Sequence, residues 1–284
     1  MNNSENSKKL PFYSKWIMLI LILSVPLAIF RGVILFKYTD ISNGLLNNEI
    51  AGNIFFVLLF VIVAAVVCMY FAQSKWAGSL NVTKKQTVLQ KVFNILCAAL
   101  LLAVVVWDAY TMMANEAGFS YLLVIKDLLC ASSVVYFISC AFKSEGKAQD
   151  SKSKNAALIP AVYVAVYAII IFIDIKTQIN APQRSYTLLM LMFVMMSFVA
   201  QAEMYVPLTK AELMSNTKQK TYAKVAVFSL LAAVLAIVVV LPQIIFSVVV
   251  THDTGAVIYS LSDLVLALIN GVCVVNFLSN RKSS

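Results

Sequence analysis

Arg31, Asp108, Lys126, Asp127 and Asp263 each interrupt a stretch of apolar residues long enough to cross a bilayer. An ionisable side chain near the middle of such a stretch costs roughly 2.5–3.5 kcal/mol on insertion scales, so each is a candidate for function. Carboxylates at these positions can take up a proton or a cation, and a lysine can neutralise them or hold an anion. Counting about 1.5 Å per helical residue, Lys126, Asp127 and Asp263 lie about 10 Å below one common surface, and Asp108 and Arg31 about 8 Å below it. Gln243, beside Pro242, sits at a comparable level. Seven residues beyond Asp263, Asn270 shares a helical face with it, along with Ser260 and Ala267. Together Arg31, Asp108, Lys126, Asp127, Gln243, Asp263 and Asn270 define a candidate polar cavity open to the outside. It would bind an ion, a polar solute or a partner helix. The competing reading is charge pairing within a bundle, with Lys126 on Asp108, Asp127 on Arg31, and Arg31, Asp108 and Asp174 reaching towards the interface. Adjacent positions on a helix diverge by about 100°, so Lys126 and Asp127 are expected to face different neighbours.

Several reactions lack their residues. No H-E-x-x-H, G-x-S-x-G or phosphate-binding glycine loop occurs. The single histidine, His252, falls in a loop. Asp127 and Asp263 share a depth, but the glycine-rich unwound segments of an intramembrane aspartyl protease are missing. The expectation is a protein that is not an enzyme and carries no cofactor. Met190, Met192, Met195 and Met196 are distributed around a helix, which fits adaptable packing better than a metal site. Cys68, Cys97, Cys130, Cys140 and Cys273 all fall in apolar runs without a C-x-x-C pair, so free thiols packed as small hydrophobes are expected.

The elements that position these groups follow from composition. Of 284 residues, 61% are hydrophobic and 12% charged, which excludes a soluble domain, a disordered chain and a disulfide scaffold. Eight runs reach the roughly 20 residues a membrane-crossing helix needs. They are Trp16 to Phe36, Ile54 to Gln73, Val92 to Met112, Phe119 to Phe142, Ala156 to Ile175, Tyr186 to Val206, Val225 to Val249 and Ala256 to Leu278. The fold class is therefore all-α, a polytopic membrane protein of eight spans. The first run lacks a small-residue cleavage pattern and reads as an uncleaved helix. Seventeen of the 22 basic residues fall in the N-terminal segment, the loops after spans two, four and six, and the tail. By the positive-inside rule those segments, and both termini, are cytoplasmic. Pro26 and Pro242 are expected to kink spans one and seven. Gln201 and Glu203 are expected at the cytoplasmic interface.

An internal repeat organises the spans. Thr83-Lys84-Lys85-Gln86-Thr87 resembles Thr217-Lys218-Gln219-Lys220-Thr221, and at the same offset of 134 the run Ile95 to Val106 resembles Ser229 to Val240. Asp108 then corresponds to Pro242-Gln243, and Lys126-Asp127 meets Ser262-Asp263 once two residues are allowed in the loop. Residues 1–147 and 148–284 are thus read as two four-helix repeats, joined through the polar stretch Lys143 to Asn155. Because four is even, both would cross in the same direction, giving parallel repeats.

The halves close with Tyr136-Phe137-Ile138-Ser139 ahead of Lys143-Ser144-Glu145-Gly146-Lys147, and with Asn276-Phe277-Leu278-Ser279-Asn280-Arg281-Lys282. With the amphiphilic start at Ser14-Lys15-Trp16, this resembles two tandem copies of the YdgK-like bacterial membrane protein family, domain of unknown function 2569. The resemblance implies four-helix units in a bacterial inner membrane and brings no catalytic residues.

The leading expectation is a non-enzymatic, multi-pass protein of the cell membrane acting through helix packing or association with a partner or lipid. Its partners would be the lipid bilayer, with anionic lipid at the cytoplasmic face and another membrane protein as further candidates; nucleic acid is not among them. The alternative is a small-solute or proton-coupled ion transporter using the outward-facing cavity.

Overall fold

The computed structural model describes residues 3–39, 48–73, 88–114, 120–142, 151–177, 182–204 and 217–279. The elements are α1 (Asn3–Tyr38), α2 (Glu49–Gln73), α3 (Val88–Met113), α4 (Tyr121–Phe142), α5 (Ser151–Thr177), α6 (Pro182–Met204), α7 (Thr217–Leu235), α8 (Leu241–Phe246) and α9 (Thr254–Ser279). Two π-helical segments, Ala236–Val240 and Ser247–Thr251, flank α8 and join it to α7 as one continuous span. No β-strand occurs among the described residues. Among the described residues eight helices are long and apolar enough to cross a membrane, at the positions expected from the sequence, which makes this a multi-pass integral membrane protein.

Several helices run further than their apolar runs. Thus α1 starts at Asn3 rather than Trp16, α5 at Ser151 inside the polar junction, and α7 at Thr217 rather than Val225. Hydropathy marks the part of a helix that lipid surrounds, whereas backbone hydrogen bonding continues into the polar flanks. The Thr83–Thr87 motif, half of the loop lysines and the junction residues 143–150 lie outside the described residues.

Pro242 has a larger effect on the seventh span than a simple bend. Its ring has no N–H and crowds the carbonyl four residues back, at Val238. The turn widens there: the Leu241 N–H bonds to the Ala236 carbonyl five residues earlier. A second widened turn follows α8, and the span stops at His252, whose φ of 52° is left-handed. Asp253 then caps α9, its Oδ1 accepting the Ala256 N–H at 3.0 Å. Asn48 caps α2 in the same way, through the Ala51 N–H at 3.1 Å.

Six spans close into a ring. α3 packs on α4, α4 on α5, α5 on α6, α6 on α7, α7 on α9, and α9 back on α3. α1 and α2 pair outside this ring, both against the seventh span. That span is the structural axis. Of its most apolar 18-residue stretch, within Ala223–Thr251, 78% is buried, against 17% of the corresponding stretch within Ile50–Cys68 of α2. The two have the same mean hydropathy. They differ in size: Ala223, Ser229, Ala232, Ala233 and Ala236 let neighbouring helices approach α7, while α2 carries Phe55, Phe56, Leu58 and Phe60.

α7 and α9 approach closely at Gly271, where a Cβ would stand 3.3 Å from that of Ala233. Gly32 has open space around it. Gly271→Leu is expected to destabilise the α7–α9 contact by about 1–3 kcal/mol. Gly32→Ala should be neutral or slightly stabilising, because alanine is the better helix former by about 1 kcal/mol. Thermal midpoints of the two variants in detergent distinguish them; equal midpoints would contradict this packing.

Candidate functional site

At one end of the ring, where α3 and α5 finish and α4, α6 and α9 begin, the helices enclose a cavity of about 600 Å³. All six spans of the ring line it: Asp108 from α3, Lys126 from α4, Tyr167 from α5, Arg184 from α6, Gln243 from α8, and Tyr259 with Asp263 from α9. Counting helical rise, Asp108 and Lys126 lie about 8 Å in from the helix ends, and Asp263 about 14 Å. The cavity therefore deepens towards Asp263.

Lys126 organises the upper part. It is buried, and its ammonium donates to Asp108 Oδ2 in a short ion pair. Asp108 Oδ1 accepts the Tyr259 hydroxyl, so both oxygens of this buried carboxylate are engaged. Lys126 Nζ also lies 3.2 Å from Asp127 Oδ1, 3.5 Å from the Tyr259 hydroxyl and 5.2 Å from the centre of that ring. One ammonium thus serves two carboxylates and an aromatic face, tying α3, α4 and α9 together. The expected Lys126–Asp108 pair forms. Lys126 and Asp127 reach one another as well, despite their angular divergence.

Asp263 is more weakly partnered. It is 3% exposed, its Oδ2 accepts the Tyr167 hydroxyl at 3.5 Å, and its Oδ1 has no hydrogen-bond partner. The Tyr167 ring stacks on Tyr259 at 6.2 Å and on Tyr163 at the same separation, a column of three aromatic rings beside the carboxylate. Gln243 donates to Ser247 Oγ at 3.5 Å.

The structure divides the residues singled out in the sequence. Asp108, Lys126, Gln243 and Asp263 share the cavity, and Asp127 touches it through Lys126. Arg31 and Asn270 lie elsewhere. Arg31 is buried between Phe55 of α2 and Tyr186 of α6, its guanidinium 5.1 and 5.3 Å from the two ring centres. It neither pairs with Asp127 nor reaches an interface, because α1 packs on the outer side of the seventh span and α4 belongs to the ring. Asn270 accepts Ser197 at 3.1 Å and Gln201 at 2.6 Å, in a network that also holds Ser229. Asp263, Ala267 and Asn270 do form one buried face of α9, but Leu266 and Ala267 fill the interval and the face divides into two polar clusters. Gln201, expected at the interface, turns inwards to this second cluster; Glu203 is exposed and meets Lys224 at 3.4 Å. The side chain of Asp174 lies outside the described residues.

Tyr167, Tyr259 and Trp107 were not singled out from the sequence. A signal existed for one of them: Tyr259 stands four residues before Asp263, hence on the same helical face. Tyr167 depends on how α5 meets α9, and no spacing within either segment encodes that. Cys97 and Cys130 are buried as small side chains, Cys130 with its thiol 3.4 Å from the Leu101 carbonyl.

Breaking the Lys126 pair strands a buried charge. Lys126→Met is expected to destabilise the protein by about 3–5 kcal/mol. The double variant Lys126→Met/Asp108→Asn should recover part of that, since Asp127 alone is left without its cation and the new amide oxygen still accepts from Tyr259. Unfolding midpoints across this cycle test the coupling; additive effects would show that the two groups do not share an interaction.

Compared with known proteins, the chain matches no family model, no curated protein and no solved structure.

Proposed function

We propose that this protein binds a small polar solute in the cavity at the α3–α4 end of the ring and moves it across the membrane, without chemical conversion. The observation that carries this reading is the convergence of Asp108, Lys126, Gln243 and Asp263 from four different spans on one cavity of about 600 Å³. Pairing alone would need no space beside the charges. Volumes of 300–1,000 Å³ with a few converging polar groups are typical of small-molecule sites.

The cavity faces outwards in this proposal, with both termini cytoplasmic, because the lysine-rich segments leave the membrane at the opposite helix ends. Parallel duplication of residues 1–147 and 148–284, in the manner of the YdgK-like four-helix unit, fits the lining. Asp108 and Lys126 line it from the first half, and Gln243 and Asp263, from the segments the repeat relates to them, line it from the second.

A second reading, association with lipid or another membrane protein, draws on α2. Its residues Phe56, Val57, Phe60 and Val61 are exposed, on a helix held by α1 and α7 at the edge of the molecule. Anionic lipid would meet the lysines at the cytoplasmic ends.

Uptake of polar solutes into proteoliposomes should fall at least tenfold in Asp263→Asn and less in Asp127→Asn, which lies beside the cavity rather than on it. Flux unaffected by Asp263→Asn would remove this site from transport. Orientation is tested separately: in His252→Cys the exposed thiol should react with a membrane-impermeant maleimide added outside intact cells, and protection there would invert the topology.

A further inference from the structure

We propose that the ligand of this cavity is a small organic cation, an amine or quaternary ammonium, held by Asp263 beside the aromatic wall that Trp107, Tyr167 and Tyr259 provide. The inference rests on reading the cavity as a solute site and adds the class of solute.

Charge is the first argument. Three carboxylates, Asp108, Asp127 and Asp263, lie at this end of the ring, and the Lys126 ammonium is shared by the first two. Asp263 is left with one hydrogen bond of 3.5 Å and a second oxygen that has none, although it is buried and lines the cavity. An anionic ligand would meet an uncompensated carboxylate in a medium of low dielectric constant. Arg184, the other cation on the lining, stands at the start of α6, about 3 Å from the helix end, whereas Asp263 lies about 14 Å deep. It is already engaged in an interaction. It therefore marks the mouth and leaves the charge at the deep end unaltered.

The second argument is the wall. Trp107, Tyr167 and Tyr259 all line the cavity, and Tyr167 and Tyr259 stack with 20° between their planes. Aromatic faces attract cations, and more strongly where water is excluded. The protein already uses one of these rings in this way, since Lys126 Nζ lies over Tyr259. Size is the third argument. The space far exceeds that of a dehydrated metal ion, and among the described residues no three His, Cys, Asp or Glu side chains converge as metal ligands.

The test is binding to the full-length protein in lipid nanodiscs, read by calorimetry and thermal shift. Tetramethylammonium and methylammonium chlorides are compared with sodium acetate at equal ionic strength. The ammonium probes should bind saturably and raise the unfolding midpoint, and acetate should not. Asp263→Asn should weaken the ammonium affinity at least tenfold. Tyr167→Leu should weaken it about fivefold, while Tyr167→Phe, which keeps the ring, retains most of it. If Asp263→Asn does not fold, the contrast between Tyr167→Leu and Tyr167→Phe makes the same test. Binding of acetate in preference to the ammonium probes, or ammonium binding indifferent to these variants, overturns the proposal. Ammonium binding without proteoliposome uptake supports it and overturns transport. Acetate uptake without ammonium binding does the reverse.

Discussion

A lysine ammonium placed inside an apolar bundle has to be neutralised by groups the protein itself brings, since hydrocarbon offers none. Lys126 meets that requirement through Asp108 across the α3–α4 contact, Asp127 on its own helix, and Tyr259 on α9. These partners come from three elements, so the requirement fixes how α3, α4 and α9 stand relative to one another. Much of the ring follows, because α9 also packs on α7 and α4 on α5. The cavity is the space left beside this cluster, at one end of the ring.

Greasy surface alone cannot assemble such a bundle, because lipid tails are as apolar as leucine. Two other devices do so here. Small residues along α7 permit close approach, which is why a span no more hydrophobic than α2 becomes the axis of the molecule. The outer pair α1–α2 is then fastened by Arg31, held between Phe55 and Tyr186. A desolvated cation–π contact of this kind contributes about 2 kcal/mol. Arg31 is thus a structural group, and the polar character of the cavity rests on Asp108, Lys126 and Asp263.

Along α9 the polar face separates into two parts with different properties. Around Asn270 the hydrogen bonds with Ser197, Ser229, Gln201 and the Leu266 carbonyl are short and mutually supporting, which suits a cluster that joins helices. Around Asp263 the bonding is sparse, beside open space and a column of stacked rings. Satisfied polar groups rigidify a bundle, while a buried carboxylate with bonding capacity to spare is poised to receive a ligand. Pro242 and the widened turns around it give the seventh span, which lines the cavity through Gln243, a segment outside regular α-geometry.

The number of spans and the identity of the buried ionisable groups could be read from the sequence, because both depend on local composition: a helix in lipid must be apolar over about 20 residues, and each exception is conspicuous. The placement of Asp108, Lys126 and Asp263 towards the same side of the membrane was legible for the same reason, although the observed helix start sets Asp263 about 6 Å deeper than the other two. Which side each helix turns to its neighbours was not. In a bilayer the lipid-facing and protein-facing sides are equally apolar, so no pattern of hydrophobicity told α2 from α7 or sent Arg31 away from Asp127. Only tertiary structure decided those positions, through packing of small residues and the need of each buried charge for a partner on another helix. It also brought Tyr167 to Asp263, 96 residues apart, and made the cavity.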